Sequence, residues 1–470
     1  MTDTAENLPV SRNVKIGFFH LGSGMADVLA TGVWNRIMIS DLGFAAGPVS
    51  LLLSLRYFLA PLGIWAGRMS DKHRVLGFRR LFWIWLGRLL MVISTVMLGV
   101  STAQLVGGGD VSSTLWLIIG GSLVTFSLGN ALSGSTFLAL VYDRAPESQR
   151  GRAVGIVWTF LLLGFTLGGV FFGLALPSTE GVDGLTFTAG DLQNLFIMAA
   201  LIFTGLWFFS LVGEERRYMA RATDAQDAQA AGTNEIDDRS FWNDLSLVWR
   251  DRSMRFFLFY LVGSMFFAFS QDVILEPFAA DVFGMSAQVT NRFAAYWGGT
   301  AIFGSLLFLW LSRRIVWLTN TRMSQAGTAI ILLTFALLTA CAWLEIRALV
   351  IPGLILLGLG LGLWNIGTLG LMMDFSPLGS AGTFLGFWTL CVTLARGGGV
   401  ASGGLSRDVW QQVTGQLHIS YGMVFAIGVL GLGLSLWALS RVNVNAFKAN
   451  LEQERSQNEE VATILAGAMD

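Results

Sequence analysis

The sequence predicts an all-α, polytopic membrane protein whose twelve transmembrane helices form two related six-helix halves. Composition gives the first reason: 54% of the 470 residues are hydrophobic and 13% are charged, about half the charged share of an ordinary soluble domain. The second is length, since the chain returns repeatedly to apolar runs that reach the roughly 20 residues a helix needs to cross a bilayer. The third is an internal repeat, set out below. Disorder, collagen, secreted disulfide scaffolds and nucleic-acid binding are excluded as readings of the whole chain. A net charge of -1 offers no field to a polyanion, and Cys341 and Cys391 both sit inside apolar runs.

Spans are expected near 14–40, 48–67, 81–100, 115–141, 153–176, 192–213, 256–280, 292–311, 322–344, 348–373, 382–404 and 420–441. They are long, continuous and rich in Leu, Phe and Gly, which is how a helix bundle reads, whereas a barrel needs short alternating segments. The first dozen residues are polar and lead to no small-residue cleavage site, so the first helix is expected to act as its own insertion signal.

Orientation follows from where Lys and Arg fall. With both termini inside, 23 of the 30 basic residues lie on the cytoplasmic side; Arg292, Arg347 and Arg407 lie outside, and Arg36, Arg56, Arg88 and Arg396 lie within spans. Asp110, Glu180, Asp183 and Asp191 fall at the opposite ends. The expected arrangement is a multi-pass membrane protein with both termini cytoplasmic. The halves are drawn at 1–213 and 256–442, with a polar linker at 214–255 that opens Glu214-Glu215-Arg216-Arg217 and a polar tail at 443–470. Late in the linker, Ser240 is placed to cap a short interfacial helix carrying Phe241, Leu245 and Val248 on one face.

At an offset of 231 residues, Gly129 matches Gly360, Asp143 matches Asp374, Pro146 matches Pro377 and Gly151 matches Gly382. Gly155 likewise matches Gly386, Gly168 matches Gly399 and Gly173 matches Gly404. Spans four and five thus recur as spans ten and eleven, as in two parallel repeats related by an axis along the membrane normal. Small residues at four-residue steps in spans five and eleven serve close helix approach.

After span two the chain reads Gly67-Arg68-Met69-Ser70-Asp71-Lys72-His73-Arg74, then Gly77-Phe78-Arg79-Arg80. This resembles the loop signature of the major facilitator superfamily, with extra residues before Gly77. Gly67 would permit a close helix end, and Asp71, Arg74, Arg79 and Arg80, with Asp143, Arg144 and Asp374, would form a gating cluster on the cytoplasmic side. A merely positive inside loop is the plainer reading.

Ionisable groups inside a bilayer are costly and need a reason. Span one carries His20, Asp27, Asn35 and Arg36; span two carries Arg56, span seven Gln271, Asp272 and Glu276, and span eleven Arg396. Either they line a central polar cavity or proton relay, or they neutralise one another between helices for assembly. His20 is the one histidine at membrane depth. It is a conceivable axial ligand for a chlorin magnesium, although such a histidine is more often simply packed. No spacing suggests a protein-bound metal, and no nucleophile–base pair or phosphate loop suggests an enzyme.

The stretch Gly22-Ser23-Gly24-Met25-Ala26-Asp27-Val28-Leu29 with Thr31-Gly32-Val33-Trp34-Asn35-Arg36-Ile37-Met38-Ile39 resembles the PucC and LhaA family. Arg56-Tyr57-Phe58-Leu59-Ala60-Pro61 and Tyr142-Asp143-Arg144-Ala145-Pro146 extend the likeness over about residues 14–441. The resemblance implies a major facilitator fold in the photosynthetic membrane of a bacterium, where such proteins assist light-harvesting complex assembly. It implies bacteriochlorophyll as bound cargo. As partners it implies antenna polypeptides, the reaction-centre complex and bacteriochlorophyll synthase. A proton-coupled solute or drug carrier, with Asp27, Asp272 and Glu276 titrating, is the main alternative, and a scaffold that touches no pigment is a third.

Overall fold

The computed structural model describes residues 8–108, 112–146, 149–176, 187–215, 249, 251–312, 314–315, 317–376, 381–447 and 449. Asp110, Glu180, Asp183, Pro377, most of the linker with its expected interfacial helix, and most of the tail lie outside them. Among the described residues no strand forms and the elements are helices, as expected where backbone polar groups meet no water and must bond within their own segment.

Among the described residues, ten helices are long and apolar enough to cross a membrane. They are α1 (Val10–Asp41), α2 (Ala46–Asp71), α3 (Leu81–Val106), α4 (Ser113–Arg144), α5 (Arg150–Ala175), α6 (Ala189–Phe209), α9 (Ala287–Ser312), α10 (Asn320–Trp343), α11 (Arg347–Asp374) and α13 (Leu417–Ser440). The place of span eleven is taken by α12 (Ala381–Thr414), which runs well past the expected 404. Span seven is not the single helix expected at 256–280. It is broken into α7 (Arg252–Ala268) and α8 (Leu275–Phe283). Between them Asp272 N–H donates to Phe269 O and Ile274 N–H to Gln271 O, both tight turns. Pro277 accounts for the break, because it has no N–H to give to Val273 O, four residues back.

Each half carries the same packing. In the first half α1 lies against α5 and α6, α4 against α2 and α3, and α3 against α6. In the second, α7 lies against α12 and α13, α11 against α9 and α10, and α10 against α13. The contacts between halves are reciprocal too, α5 with α9 and α2 with α12. A rotation that exchanges the halves therefore carries each of these contacts onto another. Each half also has its own apolar core, one centred on Phe19, Phe137 and Trp207, the other on Phe257, Phe335 and Trp388.

The repeated glycines sit where this packing is tightest. A Cβ on Gly168 would meet Met25 Cα of α1 at 3.1 Å, and one on its repeat Gly399 would meet Phe266 O of α7 at 2.1 Å. Gly173 faces Arg292 of α9, and its repeat Gly404 faces Ala46 O and Ser50 of α2. Small residues are needed at these points because backbones touch there.

Two details depart from the expected domain limits. Glu214 and Glu215, assigned to the linker, belong to the first half. Glu214 bonds Arg12 at 2.8 Å, and Glu215 accepts from the N–H groups of Arg79, Arg80 and Leu81 at 2.5, 3.0 and 2.9 Å. It thereby satisfies free donors at the start of α3. The tail begins by folding back, with buried Phe447 against Phe375.

Candidate functional site

The seam between the halves holds a polar layer near the middle of the bundle. Asp27 of α1 pairs with Arg56 of α2, and Arg396 Nη2 of α12 pairs with Asp272 Oδ2 between α7 and α8 at 2.9 Å. Each half thus neutralises its own buried charge, which a low-dielectric interior demands. Tyr57 lies between the two pairs. Its hydroxyl accepts from Arg56 Nη2 at 2.9 Å, and its ring carries the Arg56 guanidinium at 4.8 Å and that of Arg396 at 5.1 Å. The Arg396 guanidinium also stacks on Phe269 at 4.2 Å. Gln271 reaches Asp272 at 3.4 Å. Asp27 and Arg396 keep about a quarter of their side chains accessible, at 27% and 24%, so the layer is not fully sealed.

Beyond this layer, α1 changes geometry. Leu29–Trp34 and Ile37–Asp41 are π-helical, a winding in which bonds close from i to i+5. Residues five apart then become neighbours, and Arg36 Nη1 bonds Asp41 at 2.7 Å. Arg36 Nη2 crosses the seam to Met285 O at 3.2 Å. Asn35 crosses it as well, donating from Nδ2 to Val273 O at 2.7 Å. That carbonyl is the one Pro277 leaves without a helical donor, so a side chain from the other half supplies what the proline lacks. Glu276 is buried beside Gly32 and Asn291.

At the far end, Asp408 of α12 accepts from the N–H groups of Ala46 and Gly47 at 3.0 and 2.7 Å. It caps α2, which has no cap of its own. Arg407 holds Asp408 at 3.0 Å and Asp281 at 3.3 Å, and Tyr421 donates to Asp281 at 2.6 Å.

All these cross-seam bonds, with Ser50 to Ala401 O at 3.2 Å, lie between the middle and the end where α1 finishes. The opposite end is looser. Gly151 and Gly155 precede Gly169 by nearly whole turns and so share its face of α5. A Cβ on Gly169 would meet Ala295 of α9 at 2.7 Å, but among the described residues one on Gly151 or Gly155 would meet nothing within 4 Å. The same contrast separates Gly404 from Gly386 on α12. Among the described residues, the seam is closed at one end and parted at the end that carries the basic loops.

Of the expected cavity residues, Asp27, Asn35, Arg36, Arg56, Gln271, Asp272, Glu276 and Arg396 do come together in the seam. His20 does not join them. It is 8% exposed within the first half, with its ring 4.8 Å from Phe137 and 5.8 Å from Trp158. Arg88 is buried nearby with its guanidinium 4.2 Å from the Phe19 ring and 4.7 Å from Trp207, so aromatic faces stand in for a carboxylate.

In the expected gating cluster, Arg79 and Arg80 bond Asp71 at 2.8 and 2.6 Å, and Arg80 bonds Asp143 at 3.0 Å. These contacts knit α2, α3 and α4 within one half and do not latch the halves together. Asp374 accepts from Asn320 Nδ2 at 2.9 Å, so the repeat of Asp143 keeps its bond to the start of a neighbouring helix with an amide in place of the guanidinium. Gly67 is not a close helix contact, since among the described residues nothing lies within 4 Å of its Cβ position. Gly77 has the clearer role. Val75 and Phe78 exchange backbone bonds at 2.9 and 3.0 Å across Leu76 and Gly77, whose φ angles are 54° and 83°, a turn that suits glycine.

Residues that sequence reasoning missed are Tyr57, Asp41, Asn291, Asp408, Arg407, Asp281 and Tyr421. Tyr57 stood in the sequence only as part of a family motif, and Asp41 left a spacing signal, lying five residues after Arg36, which required knowing that α1 is π-helical there.

The match to the family described as PUCC protein runs over residues 33–447. The chain belongs to that family. Protein PucC of Rhodovulum sulfidophilum is 30% identical over 86% of this chain and 86% of its own length. An uncharacterized protein from the puhA-bchM intergenic region of Rhodobacter capsulatus is 26% identical over 92% of this chain and 89% of its own. A protein of the same organism named Bacteriochlorophyll synthase 44.5 kDa chain is 25% identical over 88% and 91%. Among solved structures, an inward-facing bacterial homolog of the human lysosomal transporter Spinster matches with TM-score 0.67 at 15% identity, covering 92% of this chain and 97% of that one. A nucleoside transporter matches with TM-score 0.65 at 13% identity, covering 92% and 100%. These likenesses give this PUCC family member the major facilitator fold, in a multi-pass membrane protein.

Proposed function

We propose that this protein assists assembly of light-harvesting complexes in a bacterial photosynthetic membrane by holding bacteriochlorophyll and passing it to antenna polypeptides. The match over residues 33–447 carries the reading, and a relative named for bacteriochlorophyll synthase supports it. The cargo is a flat, amphipathic macrocycle with a long isoprenoid tail, which must be handled without leaving the bilayer. Tyr57 and Phe269, with the Arg56 and Arg396 guanidiniums laid on their rings, offer a surface of aromatic and planar cationic groups against which such a ring can stack. Asp27 and Arg396 are accessible enough to orient its polar substituents. His20 does not fit the role of axial ligand, because it is buried among Phe137 and Trp158, away from the seam. Rocking of the halves about the glycine contacts would move the cargo from the parted end toward release.

The membrane in this reading is the bacterial inner or photosynthetic membrane, with both termini cytoplasmic, because the basic loops share the parted end. The antenna polypeptide is the receiving partner, and bacteriochlorophyll synthase and the reaction-centre complex are neighbours in the same pathway. The protein itself performs no covalent chemistry.

Deleting the gene in a pigmented host and recording the near-infrared absorption spectrum tests the proposal, since each antenna type absorbs in its own band. Loss of one antenna band with the reaction centre retained is expected. An unchanged spectrum, together with purified protein that carries no extractable chlorin, overturns it. The buried carboxylates favour a second reading, a proton-coupled carrier. Proton-coupled flux of a water-soluble substrate in vesicles, lost when Asp27, Asp272 or Glu276 is neutralised singly, would establish that reading instead.

A further inference from the structure

Glu276 is 5% exposed and its Oε2 has no hydrogen-bond partner among the described residues. Asn291, 1% exposed, has its Oδ1 in the same condition. Both oxygens stand around one point of the π-helical turn of α1. A Cβ on Gly32 would lie 3.4 Å from Asn291 Oδ1 and 3.9 Å from Glu276 Oε1. Turning the Asn291 amide does not supply a donor without loss, because its Nδ2 already donates to Ala287 O at 2.8 Å.

The charged groups around Glu276 are committed elsewhere. On α1, Arg36 is bonded to Asp41 and Met285 O. On its own segment, Asp272 is paired with Arg396. On α9, Arg292 runs along α5, its Cγ 2.8 Å from the Cβ position of Gly173. Beyond α8, Arg407 is held by Asp281 and Asp408. A carboxylate here would be a buried charge without a counter-charge, beside a second unpaired acceptor, which is costly. A protonated carboxyl removes the charge and provides the missing donor.

We infer that Glu276 is a proton-binding site whose occupancy holds the closed end of the seam shut, and that proton release is linked to the parting of α1 and α2 from α8, α9 and α12. The inference rests on this geometry and not on the identity of the cargo. The sign follows from linkage. The closed state binds the proton more tightly, so raising the pH removes stabilisation from that state. For one linked proton the closed–open equilibrium shifts by at most about tenfold per pH unit.

The test uses the full chain in liposomes, with Cys341 and Cys391 replaced by Ala and a reporter cysteine introduced as Ser50→Cys, a position buried in the closed seam. Labelling by a hydrophilic maleimide, taken relative to a fully exposed reporter cysteine at the same pH so that the rising thiolate fraction cancels, should rise with pH, approaching about tenfold per unit, and Glu276→Gln should stay slow on that scale at every pH. The same pH response in Glu276→Gln overturns the inference. So does labelling that ignores pH, whether or not sodium changes it, a sodium response meaning a metal cation in place of the proton. A measurement on the unmutated protein stands beside this. With isotope-labelled glutamate, infrared spectra at neutral pH should show the carbonyl band of a protonated glutamic acid, and its absence would also refute the site.

Discussion

Asn35 illustrates how one residue can be worth more than its own hydrogen bond. It satisfies Val273 O, which Pro277 leaves free, across the seam. Truncation to Ala strands a buried acceptor and is expected to cost about 1–3 kcal/mol of stability. Pro277→Ala restores an N–H at the i+4 position, so the Asn35→Ala/Pro277→Ala double variant should recover much of that loss. Chemical denaturation of the four proteins of the cycle measures it, and strictly additive effects would show that the two residues do not share this carbonyl. Arg56 is different in kind. Its side chain is 5% exposed and is neutralised by Asp27; Asp27→Asn leaves a buried cation uncompensated and should destabilise by about 3–5 kcal/mol, discounted because Asp27 itself is partly accessible. Replacing both with apolar residues of similar volume should be far milder, as read by thermal unfolding in detergent.

Helix elements owe their spacing to the repeated glycines, yet the two copies are not equally tight. A methyl group on Gly399 would fall 2.1 Å from Phe266 O, while one on Gly168 would have 3.1 Å to Met25 Cα. Gly399→Ala is therefore expected to lose about 1–3 kcal/mol by overpacking, and Gly168→Ala clearly less, with thermal midpoints as the check. The turn between α2 and α3 makes a separate demand. Gly77 holds φ at 83°, so Gly77→Ala should cost about 1–2 kcal/mol. Leu76, at φ 54°, should be improved by replacement with Gly or Asn. The sequence reading identified Gly77 only as part of a loop signature; its backbone angle gives the physical reason for it.

On the scale of the whole molecule, the two halves meet firmly at one end and part at the other. At the closed end the Cβ position of Gly47 is 3.5 Å from Leu405 Cα, near enough for a disulfide without moving the backbone far. A Gly47→Cys/Leu405→Cys protein, with the native cysteines removed, should cross-link on mild oxidation. If the halves must rock to pass cargo on, the oxidised form should fail in pigment transfer to antenna polypeptide in isolated membranes, and the reduced form should work. Equal transfer by both forms would mean that the closed end need not open.

Composition, most of the spans and the doubling of the chain were legible in the sequence, because a bilayer reads each segment on its own: twenty apolar residues insert wherever they occur, though the break in span seven was not foreseen. The repeated glycines and the pair Asp143 and Asp374 were legible for a related reason, since a duplicated contact leaves a duplicated residue. The partners of the buried charges were not. Asp408 caps a helix that begins 362 residues earlier, His20 turns into one half while Asp27 meets Arg56, and Glu276 lies apart from every cation near it. Those outcomes depend on how far each helix is rotated and where two halves touch, which no local pattern encodes. Sequence settled which groups the membrane must bury, and only the tertiary packing decided which of them would neutralise one another.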